Sequence, residues 1–203
     1  MAVSFTATTV TNPAGAQGSY PLREEAAHEG MLADLQAYVS RSFRNQSGAA
    51  LPFGALLATD NTPTSNDALA VDIAGAATGI VGIAVSSMTM EGVSGSSSYT
   101  PNPTPVAADG RVGYPDKQTV NVLSKGVIWV YTAEAVALGD AVRAFIDDHS
   151  DTLANAYKGR FGKTAVAAHT VAIGNARWLS ETSAAGLALL ELDIPASTFT
   201  ADT

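Results

Sequence analysis

The sequence has no cysteine, so neither a disulfide nor a thiolate metal site holds this chain together. That composition is compatible with folding in a reducing cytosol. Histidine is almost as scarce: His28, His149 and His169 are the only three, and none stands at metal-ligand spacing from another. Charge is also thin, at 15% of residues, and mostly of one sign: 11 Lys and Arg stand against 19 Asp and Glu, a formal net charge of −8. Nucleic-acid affinity rests on Lys and Arg displacing counterions from phosphates, so this balance argues against a nucleic-acid partner. Only 7% of residues are aromatic, too few to favour a sugar-stacking platform. Long apolar runs are missing. The nearest, residues 68–85, contains Asp72, Thr78, Gly75, Gly79 and Gly82. A buried carboxylate is expensive in lipid, so two short strands joined by a turn are expected there and no membrane partner. The first twenty residues carry neither a basic start nor an apolar centre, and are not expected to act as a signal peptide.

What is present is 46% hydrophobic residues, much of it alanine, with 18 glycines in 203 residues. Such a chain can bury one core of its own. Residues 1–18, rich in Thr and Ala, read as an extended N-terminal arm with a short strand over 3–10. Residues 19–45 read as a helical segment. Pro21, Glu24 and Glu25 suit a first turn, and Met31, Leu35, Tyr38 and Val39 recur at i, i+4, i+7, i+8. Gly30 weakens its middle.

Residues 46–196 read as a β domain. Leu51-Pro52-Phe53-Gly54 turns into a strand at 55–59, and runs at 68–73 and 80–85 follow. Residues 86–118, dense in Ser, Gly and Pro, form a long loop of the kind that carries binding. The densest β-branched block is 120–131, where Gly126 predicts a bulge or bend. Gly139-Asp140 turns into 141–146, and further strands are expected at 166–173, 176–179 and 187–194. In the last, Ala188, Leu190, Leu192 and Ile194 share one face and Glu191 and Asp193 the other. Many short strands with Gly and Pro turns predict an all-β, or mainly β, small barrel or jelly-roll-like sandwich. Trp129 and Trp178 are expected as core anchors.

The motifs that resemble catalytic sites fail on spacing. Gly162-Lys163-Thr164 ends like a phosphate-binding loop, but Tyr157 occupies the earlier glycine position and strand-forming residues follow. Gly92-Val93-Ser94-Gly95-Ser96 lacks the fifth glycine of a nucleophile elbow. Asp147-Asp148-His149-Ser150-Asp151 gathers carboxylates, but the sixth and twelfth positions from Asp147 are Thr152 and Lys158, where a calcium loop needs Gly and Glu. Glu24 and Glu25 have no apolar pocket to raise a pKa. No enzyme activity, cofactor or metal is expected.

Several segments in order resemble the capsid cement, or head decoration, proteins of tailed bacteriophages. They are Glu29-Gly30-Met31-Leu32-Ala33-Asp34, Leu51-Pro52-Phe53-Gly54, Val120-Asn121-Val122-Leu123-Ser124-Lys125-Gly126-Val127-Ile128-Trp129-Val130, Ala135-Val136-Ala137-Leu138-Gly139-Asp140-Ala141-Val142, Gly159-Arg160-Phe161-Gly162-Lys163, Ala176-Arg177-Trp178-Leu179, and Gly186-Leu187-Ala188-Leu189-Leu190-Glu191-Leu192. The resemblance spans roughly residues 28–194, and the ordered series carries it rather than any one motif. It implies a β-barrel or jelly-roll-like fold, self-association as a homo-dimer or homo-trimer, and binding to major capsid protein on the outer surface of the assembled shell. It also implies a place in the virion after synthesis in the host bacterial cytoplasm. Val3, Phe5 and Val10 in the arm, and Met88, Met90, Tyr99 and Tyr114 in the long loop, are the candidate capsid or oligomer contacts. A tail or spike module of the virion, and a carbohydrate-binding β module, are the competing readings.

Overall fold

The computed structural model describes residues 27–34, 38–59, 70–87, 110–149 and 153–203. The arm at 1–18, and the part of the long loop at 88–109, lie outside the described residues.

The architecture is organised by one long strand. β7 (Thr119–Thr132) is rich in β-branched residues and runs through both halves of the molecule. Its first half closes a barrel with β1 (Val39–Asn45), β4 (Ala70–Ile73), β3 (Leu56–Thr59) and β5 (Ile80–Ala84), in the cyclic order β1-β4-β3-β5-β7. β1 is antiparallel to β7, with Phe43 opposite Val120, and parallel to β4, with Arg44 opposite Ala70. Closure leaves these five strands without an open edge.

The second half of β7 pairs antiparallel with β12 (Gly186–Asp193), which in turn pairs with β11 (Ala176–Trp178). The end of β7 also meets β9 (Phe161–Gly162), starting a run through β8 (Arg143–Phe145) and β10 (Thr170–Ile173) to β13 (Phe199–Ala201). A separate two-stranded piece joins β2 (Leu51–Pro52) to β6 (Gly113–Tyr114). The only helical element among the described residues is a 3-10 turn, Ile194–Ala196. No helix there is long and apolar enough to cross a membrane.

β7 changes partners at a bulge. Val39 faces Lys125 but Ser40 faces Leu123, so Ser124 is the extra residue. Gly126 follows at φ 138, and a Cβ on it would lie 3.0 Å from that of Tyr38. The bulge or bend expected at this glycine is found as a bulge two residues earlier, at Ser124.

Two apolar cores lie on either side of the β3–β5 wall. Inside the barrel, Leu57, Val71, Ala84, Val120 and Val122 pack with Leu51, Phe53 and Tyr114. On the other side, Leu56, Ile83 and Leu123 pack with Ile128, Val130, Phe161, Trp178, Ala188, Leu190 and Leu192. A wall buried on both faces needs continuous apolar residues, which is why 55–58 and 83–85 show no alternation. Gly82 stands in this wall at φ 155, where an added Cβ would sit 2.2 Å from the Leu123 carbonyl oxygen. No side chain fits there.

The helix expected over 19–45 is not what the described part forms. Residues 27–34 make a turn and a bridge, Leu32 to Ile128, and residues 39–45 are β1. Backbone pairing decides the outcome: the Gly30 amide donates to Trp129 O at 2.8 Å, Trp129 N to Met31 O at 2.9 Å, and Ala33 N to Val127 O at 3.1 Å. Gly30, at φ 81, cannot sit in a right-handed helix. The apolar stripe was misleading, since Tyr38 and Val39 are 41% and 42% exposed.

Candidate interaction surfaces

The turn Gly162-Lys163-Thr164 does cradle an anion, and the anion is the protein's own. Glu134, just after β7, accepts the Lys163 amide at 2.9 Å and the Thr164 amide at 2.8 Å through Oε1. Its Oε2 accepts the Thr164 hydroxyl at 2.7 Å. Backbone amides left over at a turn attract a carboxylate as readily as a phosphate, so this turn is a clamp between β7 and β9. Nearby, Lys163 Nζ lies 3.1 Å from Asp140 Oδ2. The Ala137 amide and then Lys163 hold the Asp140 carboxyl below its ordinary pKa. Nothing in the sequence marked Glu134, because it lies some thirty residues from the turn it closes.

The acidic tip folds back on itself in the same way. Asp148 Oδ1 accepts the Lys158 amide at 2.8 Å, and Asp147 Oδ2 lies 3.4 Å from His169 Nδ1. His149 and His169, twenty residues apart, have ring centroids 4.5 Å apart. Pairing of Phe145 with Thr170 brings their loops together. His28 Nε2 lies 2.9 Å from Ser86 Oγ. Among the described residues, no three His, Asp or Glu side chains gather as a metal site.

Of the seven expected contact residues, Val3, Phe5, Val10, Met88, Met90 and Tyr99 lie outside the described residues. The seventh, Tyr114, is a correction: it is 1% exposed, edge-on to Phe53 at 5.1 Å between centroids, with its hydroxyl donating to Val85 O at 2.6 Å. Pairing of β6 with β2 draws Tyr114 out of the long loop and into the barrel core. Burial pushes its phenol pKa above the ordinary 10.0.

The two tryptophans also part company. Trp178 is buried at 2% exposure, whereas Trp129 is half-buried on the outer face of β7, opposite Leu189. Ile128 and Val130 take the inward positions, and strand alternation sends Trp129 the other way. On that outer face, Arg160 lies 4.1 Å over the Tyr131 ring and 5.0 Å from that of Tyr157. Further along, an open groove of about 470 Å³ crosses β7, β12 and β11. Its rim carries the ion pairs Lys125–Asp193 and Arg177–Glu191. Beyond these, the strands that extend from the second half of β7 end in two with one neighbour each among the described residues, β11 and β13. Main-chain edges of this kind are generic docking sites that no side-chain motif announces.

A family model described as structural cement protein (E217 gp24/Pam3 gp6) matches residues 16–193. The chain belongs to this phage cement family. The match covers almost the whole span on which the sequence resemblance rests and extends it towards the N-terminus. The phage cement protein therefore has a structural role in the virion capsid. No curated protein matches the chain.

Proposed function

We propose that this cement protein binds the outer surface of the assembled capsid, as a homo-oligomer, and strengthens it by bridging neighbouring major capsid protein subunits. The single observation that carries the reading is the family match over 16–193, joined to a domain whose polar turns are satisfied internally. A clamp of this sort works by contact alone. Each shell contact of standard size would bury on the order of 1,600 Å² in total. Weak contacts add when one oligomer touches several subunits at once. The net charge of −8 suits a surface kept apart from packaged DNA.

The test mixes purified protein with undecorated shells and images them by electron microscopy. Ordered density over the outer face, at a copy number approaching that of the capsid subunits, is the expected result. Decorated shells should then survive heating and osmotic shock better than bare ones. Scarce copies confined to the tail would favour the tail or spike reading, and density on neither would defeat both.

A further inference from the structure

β13 is an edge strand with its own sequence repeated elsewhere in the chain. Phe199-Thr200-Ala201-Asp202-Thr203 is matched near the N-terminus by Phe5-Thr6-Ala7-Thr8-Thr9, identical at four of five positions. In β13 the Gly174 amide donates to Thr198 O at 2.8 Å, and the Asp202 amide donates to Thr170 O at 3.1 Å. Antiparallel alternation therefore turns the amides and carbonyls of Phe199 and Ala201 away from β10. Among the described residues no strand pairs with that side. Nor does the strand carry the lysine or proline with which exposed edges are commonly blunted.

Resting on the self-associating cement reading above, we infer that residues 4–9 of one copy add as a strand to the outer edge of β13 in a neighbouring copy. The repeated string sets the face pattern: Phe5 and Ala7 fall on one side of an extended strand, as Phe199 and Ala201 do in β13. Phe199 packs against the larger core, so an added Phe5 prolongs that apolar border. The one mismatch decides between addition and exchange. Asp202 locks β13 to Arg143, at 3.1 Å, and accepts the Thr170 hydroxyl. The arm carries Thr8 there, so it cannot reproduce those bonds and does not displace β13. It pairs beside it. Residues 10–26 span up to about 56 Å when extended, enough to reach an adjacent molecule. Given reciprocally between two copies the contact closes a pair, and passed on from copy to copy it closes a ring.

The absence of cysteine makes the test clean, because only introduced thiols react. Differently tagged Thr6→Cys and Thr200→Cys proteins are mixed, with and without shells, and treated with a short bis-maleimide. The expected product joins the two tags, in quantity on shells and only in traces without them. Ala201→Pro, which removes an outward amide only, should lower its yield about tenfold. If Ala201→Pro fails to fold, Phe5→Asp, placed in the arm, should give the same loss. A Thr6→Cys/Thr200→Cys double variant that closes only within single chains, or a mixture with no two-tag product, overturns the inference. Shells that are decorated yet yield no such product overturn it while leaving the cement reading intact. A two-tag product from protein that never decorates shells supports the pairing and defeats the cement reading instead.

Discussion

Glu134→Ala isolates what the clamp between β7 and β9 contributes. The carboxylate receives three hydrogen bonds, from the Lys163 amide, the Thr164 amide and the Thr164 hydroxyl. Bonds to a charged acceptor are worth about 1.5–3 kcal/mol each when water is excluded. Two of these three are exposed, so water replaces much of their value on truncation. The Lys163 bond is partly buried and keeps most of its worth. The expected loss is therefore about 2–3 kcal/mol, well short of three full bonds. In urea, with a slope of about 2 kcal/mol/M, that moves the unfolding midpoint down by about 1 M with the slope unchanged. Glu134→Gln keeps a carbonyl oxygen for the amides and loses only the charge, so it should cost under about 1 kcal/mol. A midpoint for Glu134→Ala within about 0.1 M of the unaltered protein would refute the reasoning, because the turn would then be held by packing alone.

Trp178→Ala should cost about 3–5 kcal/mol and Trp129→Ala under about 2, since only the first is fully buried; equal shifts in thermal midpoint would contradict the alternation assigned to β7. Asn45 is buried, its amide donating to Ala49 O, Tyr114 O and Pro115 O while its oxygen accepts from Ser47. Asn45→Ala should cost about 2–4 kcal/mol in urea unfolding, and Asn45→Asp more, because a carboxylate would face those carbonyls. Tyr114, neutral and raised above 10.0 by burial, gives stability that is complete below pH 10 and is lost as pH rises towards its folded pKa. Tyr114→Phe should be less stable at pH 7 and should lose that alkaline component, which pH-dependent melts would detect.

Much of the fold was legible because strand signals are local. The two runs at 70–73 and 80–84, the bulge beside Gly126 and the alternation of 188, 190 and 192 are all found. The errors share one cause: information held by a distant partner strand. Residues 27–45 show a helical stripe in isolation, yet β7 supplies backbone partners along their described length and overrides it. Trp129 sits in a run apolar at every position, 127–131, which has no period from which to read a face. Tyr114 looked like loop because β6 is two residues long and exists only by pairing with Leu51 and Pro52. The amides of the turn at 162–164 are taken by Glu134, which lies outside any local motif.

The same locality explains why contact surfaces are hard to read in this chain and what kind of contact to expect. Among the described residues, several side chains capable of strong, directional recognition are engaged within the domain: Glu134 on its turn, Asp148 on the Lys158 amide, Asp202 on Arg143 and Arg160 on Tyr131. What the strands beyond the barrel leave over is main chain at β11 and β13, together with half-buried apolar residues on their outer face. Three residues of edge offer few hydrogen bonds, at about 1 kcal/mol net apiece, so a single such contact is weak. A weak contact is an advantage on a closed shell. Misplaced copies detach and reposition, whereas a copy held at several points gains effective concentration and stays. On this argument affinity should rise steeply with the number of simultaneous contacts. A single arm-to-edge pairing in dilute solution should be barely detectable, and the same pairing on a shell should be persistent.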